Sequence, residues 1–153
     1  MIIRLHEIPE KGLALEDEEP AEILELENAS EVANAGPVHY DLFLQIVSGE
    51  LIVKGEVNAE LELVCSRCGG FFSTNCGNSA FLRAYSLEPG SDMVDLTDDL
   101  REAVLLGMPT FAVCSEDCEG RCPHCGIDLN KESCECEPPT GDIRWGALDE
   151  LDL

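Results

Sequence analysis

Eight of the nine cysteines in this 153-residue chain stand in close pairs. The pairs are Cys65/Cys68, Cys114/Cys118, Cys122/Cys125 and Cys134/Cys136, and Cys76 stands alone. A tetrahedral zinc site takes four ligands and prefers thiolate among them, so four such clamps suffice for two structural ions. Aromatic residues make up only 5% of the chain and predict a thin core, which bound metal would reinforce.

The odd cysteine count fits poorly with a closed disulfide framework. No apolar run approaches a membrane span, and no basic segment followed by an apolar one opens the sequence. The expected setting is cytoplasmic, where thiols stay reduced and clustered cysteines read as metal ligands or redox groups.

Charge narrows the partners. With 32 acids against 9 bases the formal charge is −23, and the bases form no run or stripe. Nucleic-acid affinity rests largely on Lys and Arg neutralising phosphates, so strong direct binding to RNA or DNA is not expected. A basic protein is the natural partner for such a surface.

The sequence divides into three parts. Residues 1–35 read as an acidic, partly extended lead-in, with an edge strand near Met1–Ile8 and an apolar knot at Ile23, Leu24 and Leu26. Residues 36–113 read as an antiparallel β core with one short packing helix. Val57, Ala59, Leu61 and Leu63 alternate with Glu56, Asn58, Glu60 and Glu62, the period of two that marks half-buried antiparallel strands. Ser48-Gly49-Glu50 supplies a turn, giving a long hairpin over 38–47 and 51–65, followed by a strand over Phe81–Leu87. Thr97 is the expected N-cap of a helix carrying Leu100, Ala103 and Val104 at helical spacing and closed by Pro109. Residues 114–153 read as a Cys-rich, zinc-ribbon-like module and tail, tied to the core through a shared metal site. The fold class is therefore mainly β (α+β).

Cys65-Ser66-Arg67-Cys68-Gly69-Gly70 sits at the end of a strand, where two thiols on a tight turn grip one ion and the glycines permit the turn. The competing reading is a thiol redox pair or redox switch at Cys65/Cys68. That chemistry wants the first thiol at a helix N-terminus, and no helix follows here. Cys122-Pro123-His124-Cys125-Gly126 matches a zinc-ribbon knuckle, which Cys134 and Cys136 complete. Cys65, Cys68, Cys114 and Cys118 then form site 1, and Cys122, Cys125, Cys134 and Cys136 form site 2. That grouping is preferred, and the spacing also allows the alternative in which Cys114, Cys118, Cys122 and Cys125 form one site and Cys65, Cys68, Cys134 and Cys136 the other. Either partition closes both coordination spheres, so the two zinc ions are expected to be structural. Cys76 reads as a small buried hydrophobe.

His6, His39 and His124 lack partners at catalytic spacing, and no nucleophile–base pair or phosphate loop stands out, so no enzymatic role is expected. In the tail, Trp145 and Leu148, with Leu151, are candidate apolar anchors for a partner.

Taken together, these segments resemble the YceD family, bacterial large ribosomal RNA subunit accumulation proteins with plastid relatives. The resemblance runs from about Gly36 onward. It rests on GPV at the hairpin's opening, LELVCSRC, DLTDDLREAVLLGMP, CSEDCEGRCPHCGIDLNKESCEC and the later DIRW. It implies a role in the synthesis, processing or stability of large-subunit ribosomal RNA and in ribosome biogenesis. With a surface this anionic, the implied route is an adaptor for a basic ribosomal protein or an RNA-processing factor. The contrasting route is direct RNA binding by the zinc ribbon. Some family members lack parts of the distal cysteine module, which implies that Cys65, Cys68, Cys114 and Cys118 belong to the more general core.

Overall fold

The computed structural model describes residues 1–136. A four-stranded antiparallel sheet dominates them, in the order β2 (Leu13–Glu19), β3 (Val32–Val47), β4 (Glu50–Val64) and β5 (Phe71–Ser86). A small second sheet pairs β1 (Ile2–Arg4) with β6 (Met93–Asp95). The one α-helix among the described residues, α1 (Thr97–Leu106), packs on β4 and β5. The architecture is mainly β with one helix, as the alternation and the single helical stretch predict.

Alternation in β4 explains the core. Leu51, Val53, Val57, Ala59, Leu61 and Leu63 all point to one face and are buried to 1% exposure or less. Val38, Tyr40, Leu42 and Leu44 of β3 join them from one side, and Cys76 and Phe81 of β5 from the other. Leu100, Ala103 and Val104 of the helix, with Leu96 just before it, join this core. Each fully buried Leu or Val contributes roughly 1.5–3 kcal/mol of transfer free energy. Cys76, 1% exposed and far from the other thiols in the fold, is part of this core, and burial pushes its thiol up.

β5 begins ten residues before the strand expected at Phe81–Leu87. Its first half is polar, and Ser79 and Ala80 stand opposite the single Glu56, so the register slips between Gly55 and Val57. An inserted residue moves the inward positions from even (Cys76) to odd (Phe81) and breaks the period of two on which a strand reading depends. The lead-in is likewise built into the sheet: β2 pairs with β3 from Leu13↔Leu44 to Glu19↔Val38, and Leu24 of the expected knot is fully buried.

Helix α1 starts at Thr97, but its cap differs from the expectation. The Asp95 carboxylate accepts hydrogen bonds from the Thr97 backbone N–H (2.9 Å) and hydroxyl (2.6 Å), so Asp95 does the capping. Asp99 then ties the helix to β5, accepting from Arg83 Nε at 2.6 Å and from the Tyr85 hydroxyl. At its far end Gly107 lies against Gly77, where an added Cβ would come within 2.3 Å of the Gly77 nitrogen.

Candidate metal centres

The end of β4 delivers the first pair of thiols. Ser66 N–H donates to the Ala112 carbonyl at 2.7 Å, drawing the segment after α1 alongside the turn that carries Cys65 and Cys68. That contact sets Cys114 and Cys118 opposite them. The sulfurs of Cys65, Cys68, Cys114 and Cys118 all lie within 4.8 Å of one another, as do those of Cys122, Cys125, Cys134 and Cys136. Of the two groupings that the spacing allows, the fold adopts the one joining Cys65/Cys68 to Cys114/Cys118.

The two turns are built alike. In the first, Cys65 N–H donates to Gly70 O and Gly69 N–H to Cys65 O, both at 2.8 Å. In the second, Cys122 N–H donates to Ile127 O and Gly126 N–H to Cys122 O, both at 2.9 Å. Gly69 (φ +69°) and Gly126 (φ +76°) occupy the same left-handed position one residue past the second cysteine. A side chain there would be strained, which is why each CxxC runs into glycine.

The donor set suits a tetrahedral thiophilic ion. Zinc–sulfur bonds of about 2.3 Å place sulfurs roughly 3.8 Å apart at the corners of a tetrahedron. Cys65 and Cys118 sulfurs stand 3.8 Å apart, and those of Cys68 and Cys114 3.9 Å. Backbone and amide N–H groups turn toward them: Gly70 N–H to Cys68 Sγ and Cys114 N–H to Cys65 Sγ, each at 3.4 Å, and Asn130 Nδ2 to Cys118 Sγ at 3.5 Å. Such donors spread the negative charge of clustered thiolates. With four sulfurs per cluster, neither leaves a coordination position open for a substrate.

The thiols are already unequal. Burial works against ionisation at Cys65, but N–H groups of Cys68, Cys114 and Arg67 outweigh it and bring the thiol down to about 6. N–H groups of Cys125 and His124 bring Cys122 to about 6 in the same way. Cys114, hydrogen-bonded to the Cys118 sulfur and partly desolvated, is pushed up to about 12, and Cys136, beside the Cys125 and Cys122 sulfurs, also to about 12. Each cluster thus contains one thiol that is lowered and one that is strongly raised.

The clusters differ in their surroundings. Cys65, Cys68 and Cys118 are buried, with Phe72 and Val113 packed against them. In the second cluster only Cys122 is buried, whereas Cys125 and Cys136 are exposed. The Arg67 guanidinium, from between Cys65 and Cys68, donates to the carbonyls of Glu116 (2.8 Å) and Cys118 (3.1 Å), pinning the loop that brings Cys118 into place. Arg121 donates in turn to the Cys68 carbonyl. Sequence reasoning gave Arg121 no role, because its target lies far away along the chain.

His124 sits in the second turn outside the sulfur group, and His6 and His39 stand beside Glu7 and Glu18 respectively. Trp145 and Leu148 lie outside the described residues.

Comparison with known proteins places these features. The profile of the family described as "Large ribosomal RNA subunit accumulation protein YceD" matches residues 84–152. The likeness to the YceD family lies in this part of the chain. The matched region holds α1 and six of the clustered cysteines, and Cys65 and Cys68 precede it. The chain is similar to "Large ribosomal RNA subunit accumulation protein YCED homolog 1, chloroplastic" of Arabidopsis thaliana, at 34% identity over 38% of this chain and 18% of that protein. An uncharacterised protein of Mycobacterium tuberculosis is 37% identical over 39% of the chain and 28% of its own length. One of Mycobacterium leprae is 29% identical over 61% and 49%. The chain thus spans less than half the length of these relatives. No solved structure matches it significantly.

Proposed function

We propose that this chain is a non-enzymatic factor in large-subunit ribosomal RNA accumulation, held together by two structural zinc ions and acting through a basic protein partner. The two four-sulfur clusters carry this reading, because they supply complete coordination spheres and no reactive centre. Zinc would be held by Cys65, Cys68, Cys114 and Cys118 in one cluster, and by Cys122, Cys125, Cys134 and Cys136 in the other. Its contribution is cross-linking. The family description and the Arabidopsis relative support the link to large-subunit ribosomal RNA.

Charge supports the protein route over a direct RNA route. Residues 114–136 hold six acids and two bases, and those bases are engaged: Arg121 with the Cys68 carbonyl, Lys131 with Asp128 at 3.3 Å. Arg67, across the cluster, is spent on carbonyls as well. Little positive charge is left to meet a phosphate. Nothing in the geometry favours a redox role for Cys65/Cys68, since both sulfurs belong to a four-membered cluster and no helix begins there.

Depletion and rescue test the reading. Cells lacking the protein should show a falling ratio of large- to small-subunit ribosomal RNA, restored by the native chain and not by Cys65→Ser/Cys118→Ser. Purified under reducing conditions, the native chain should contain close to two zinc per molecule. A metal-free folded protein, or an unchanged RNA ratio, would count against the proposal.

A further inference from the structure

The face of the main sheet turned away from α1 carries a row of like charges. Glu16 of β2, Asp41 of β3 and Glu56 of β4 stand directly opposite one another in register, and all three are exposed. Like charges directly opposite across strands destabilise a sheet. No cation among the described residues stands between them.

The row is also a boundary between two hollows. On one side lies a depression of 420 Å³, where Glu16, Asp17, Glu18, Asp41 and Glu56 surround His39. On the other lies one of 570 Å³ that shares Asp41 and Glu56 and is floored by Phe43, Ala80 and Leu82, with Lys54 at its rim. Leu82 is 60% exposed. The register slip at Ser79–Ala80 lies beside this second hollow, and such a bulge bends a sheet and re-aims its side chains. Lys54 does not neutralise the acids: its ammonium lies over the Phe43 ring, 5.4 Å from the centroid.

An acidic hollow continuous with an apolar one has a complement of definite kind. We propose that this sheet face docks a segment of a basic protein in which Lys or Arg side chains flank an apolar residue, the cations entering between Glu16, Asp41 and Glu56 and the apolar residue seating on Leu82 and Phe43. The inference rests on the adaptor reading above and names its surface. Charge complementarity steers encounter and relieves the like-charge row, and the apolar floor supplies the desolvated centre an interface needs. RNA does not fit, because its phosphates would meet five carboxylates.

The test uses the full zinc-loaded chain and, as probe, the protein fraction extracted from purified large ribosomal subunits, with and without the ribosomal RNA. A photo-crosslinking residue replaces Leu82. Binding of each captured protein is then measured for E16K/E56K, for L82D, and for a control, E88K/D92K, that makes the same charge change on the loop after β5. A crosslink to a basic ribosomal protein is expected. Both face variants should weaken that protein's binding about tenfold, and the control less than about twofold. Equal weakening by the control would reduce the effect to net charge and overturn the proposal. So would a crosslink to residues 137–153, to a second copy, or to RNA. A ribosomal protein that binds all variants equally would overturn this surface and leave the adaptor function standing, whereas no binding at all would overturn both.

Discussion

Arg121 donates its guanidinium hydrogen bond to the carbonyl of Cys68, a residue fifty-three positions earlier. The bond crosses from the approach to the second cluster into the turn of the first. Gly120 (φ +76°) makes the crossing feasible: an added Cβ there would lie 3.1 Å from the Arg67 carbonyl oxygen. Replacing Arg121 by Met should leave zinc content unchanged, cost about 1 kcal/mol in stability and speed proteolysis between residues 119 and 136. Limited proteolysis beside urea unfolding would read both effects.

The two clusters should behave differently when broken. Cys118→Ser removes a buried thiol that joins the sheet to the loop, and should lower the melting temperature by on the order of 10 °C. Cys136→Ser opens the exposed cluster and should shift melting by less than about 3 °C, with the loss confined to residues 119–136. Each variant should retain about one zinc. Equal destabilisation by the two would contradict the division of labour.

Acid should release the metal. Cys65 and Cys122 are held down to about 6, so their thiolates favour the folded chain above the ordinary thiol range near 8.5. That contribution is lost as the pH falls toward 6. Zinc binding must in addition expel the protons that Cys114 and Cys136 keep up to about 12, so affinity falls with pH in the same direction. Titration with a chromogenic chelator should find release complete by about pH 5. Retention at about pH 4 would argue against thiolate ligation.

Asp99 is the polar link between helix and sheet. Asp99→Asn weakens its charge-assisted contact with Arg83 and disturbs that with Tyr85, and should cost about 2 kcal/mol by urea unfolding. Charge-matched Asp98→Asn, at an exposed position of the same helical turn, should cost less than about 0.5 kcal/mol.

Gly107→Ala tests the closest approach of α1 to the sheet. A methyl group there would meet the Gly77 backbone at 2.3–2.8 Å, and since backbone cannot swing aside the helix must shift. The expected loss is about 1–3 kcal/mol. A neutral result would mean that the helix end packs elsewhere.

Much of this was legible in the sequence where one physical signal acted alone. The uninterrupted alternation of β4 revealed the hairpin, and Leu100, Ala103 and Val104 revealed the helix. The start of β5 was hidden because Ser73, Asn75, Asn78 and Ser79 make it polar and the bulge reverses its inward parity. β2 was hidden because its acids mask the pair Leu13 and Leu15, which find their partners only across β3. The cap at Asp95 was missed because Thr97, equally suitable by type, lies nearer the helical run. For the thiols, spacing identified the clamps but could not choose their grouping. That choice depends on the long-range contact of Ser66 with Ala112, which no local pattern encodes.

The buried cluster takes its sulfurs from both ends of the 65–118 stretch, whereas the exposed one gathers its own within residues 122–136. Closing the longer loop carries the larger entropic penalty unless strands and helix have already brought its ends together. During synthesis the outer knot can therefore tie itself as soon as its last cysteine emerges, while the inner one must wait for the finished sheet. Its assembly is then a seal on correct folding, set only when the chain before it is in order.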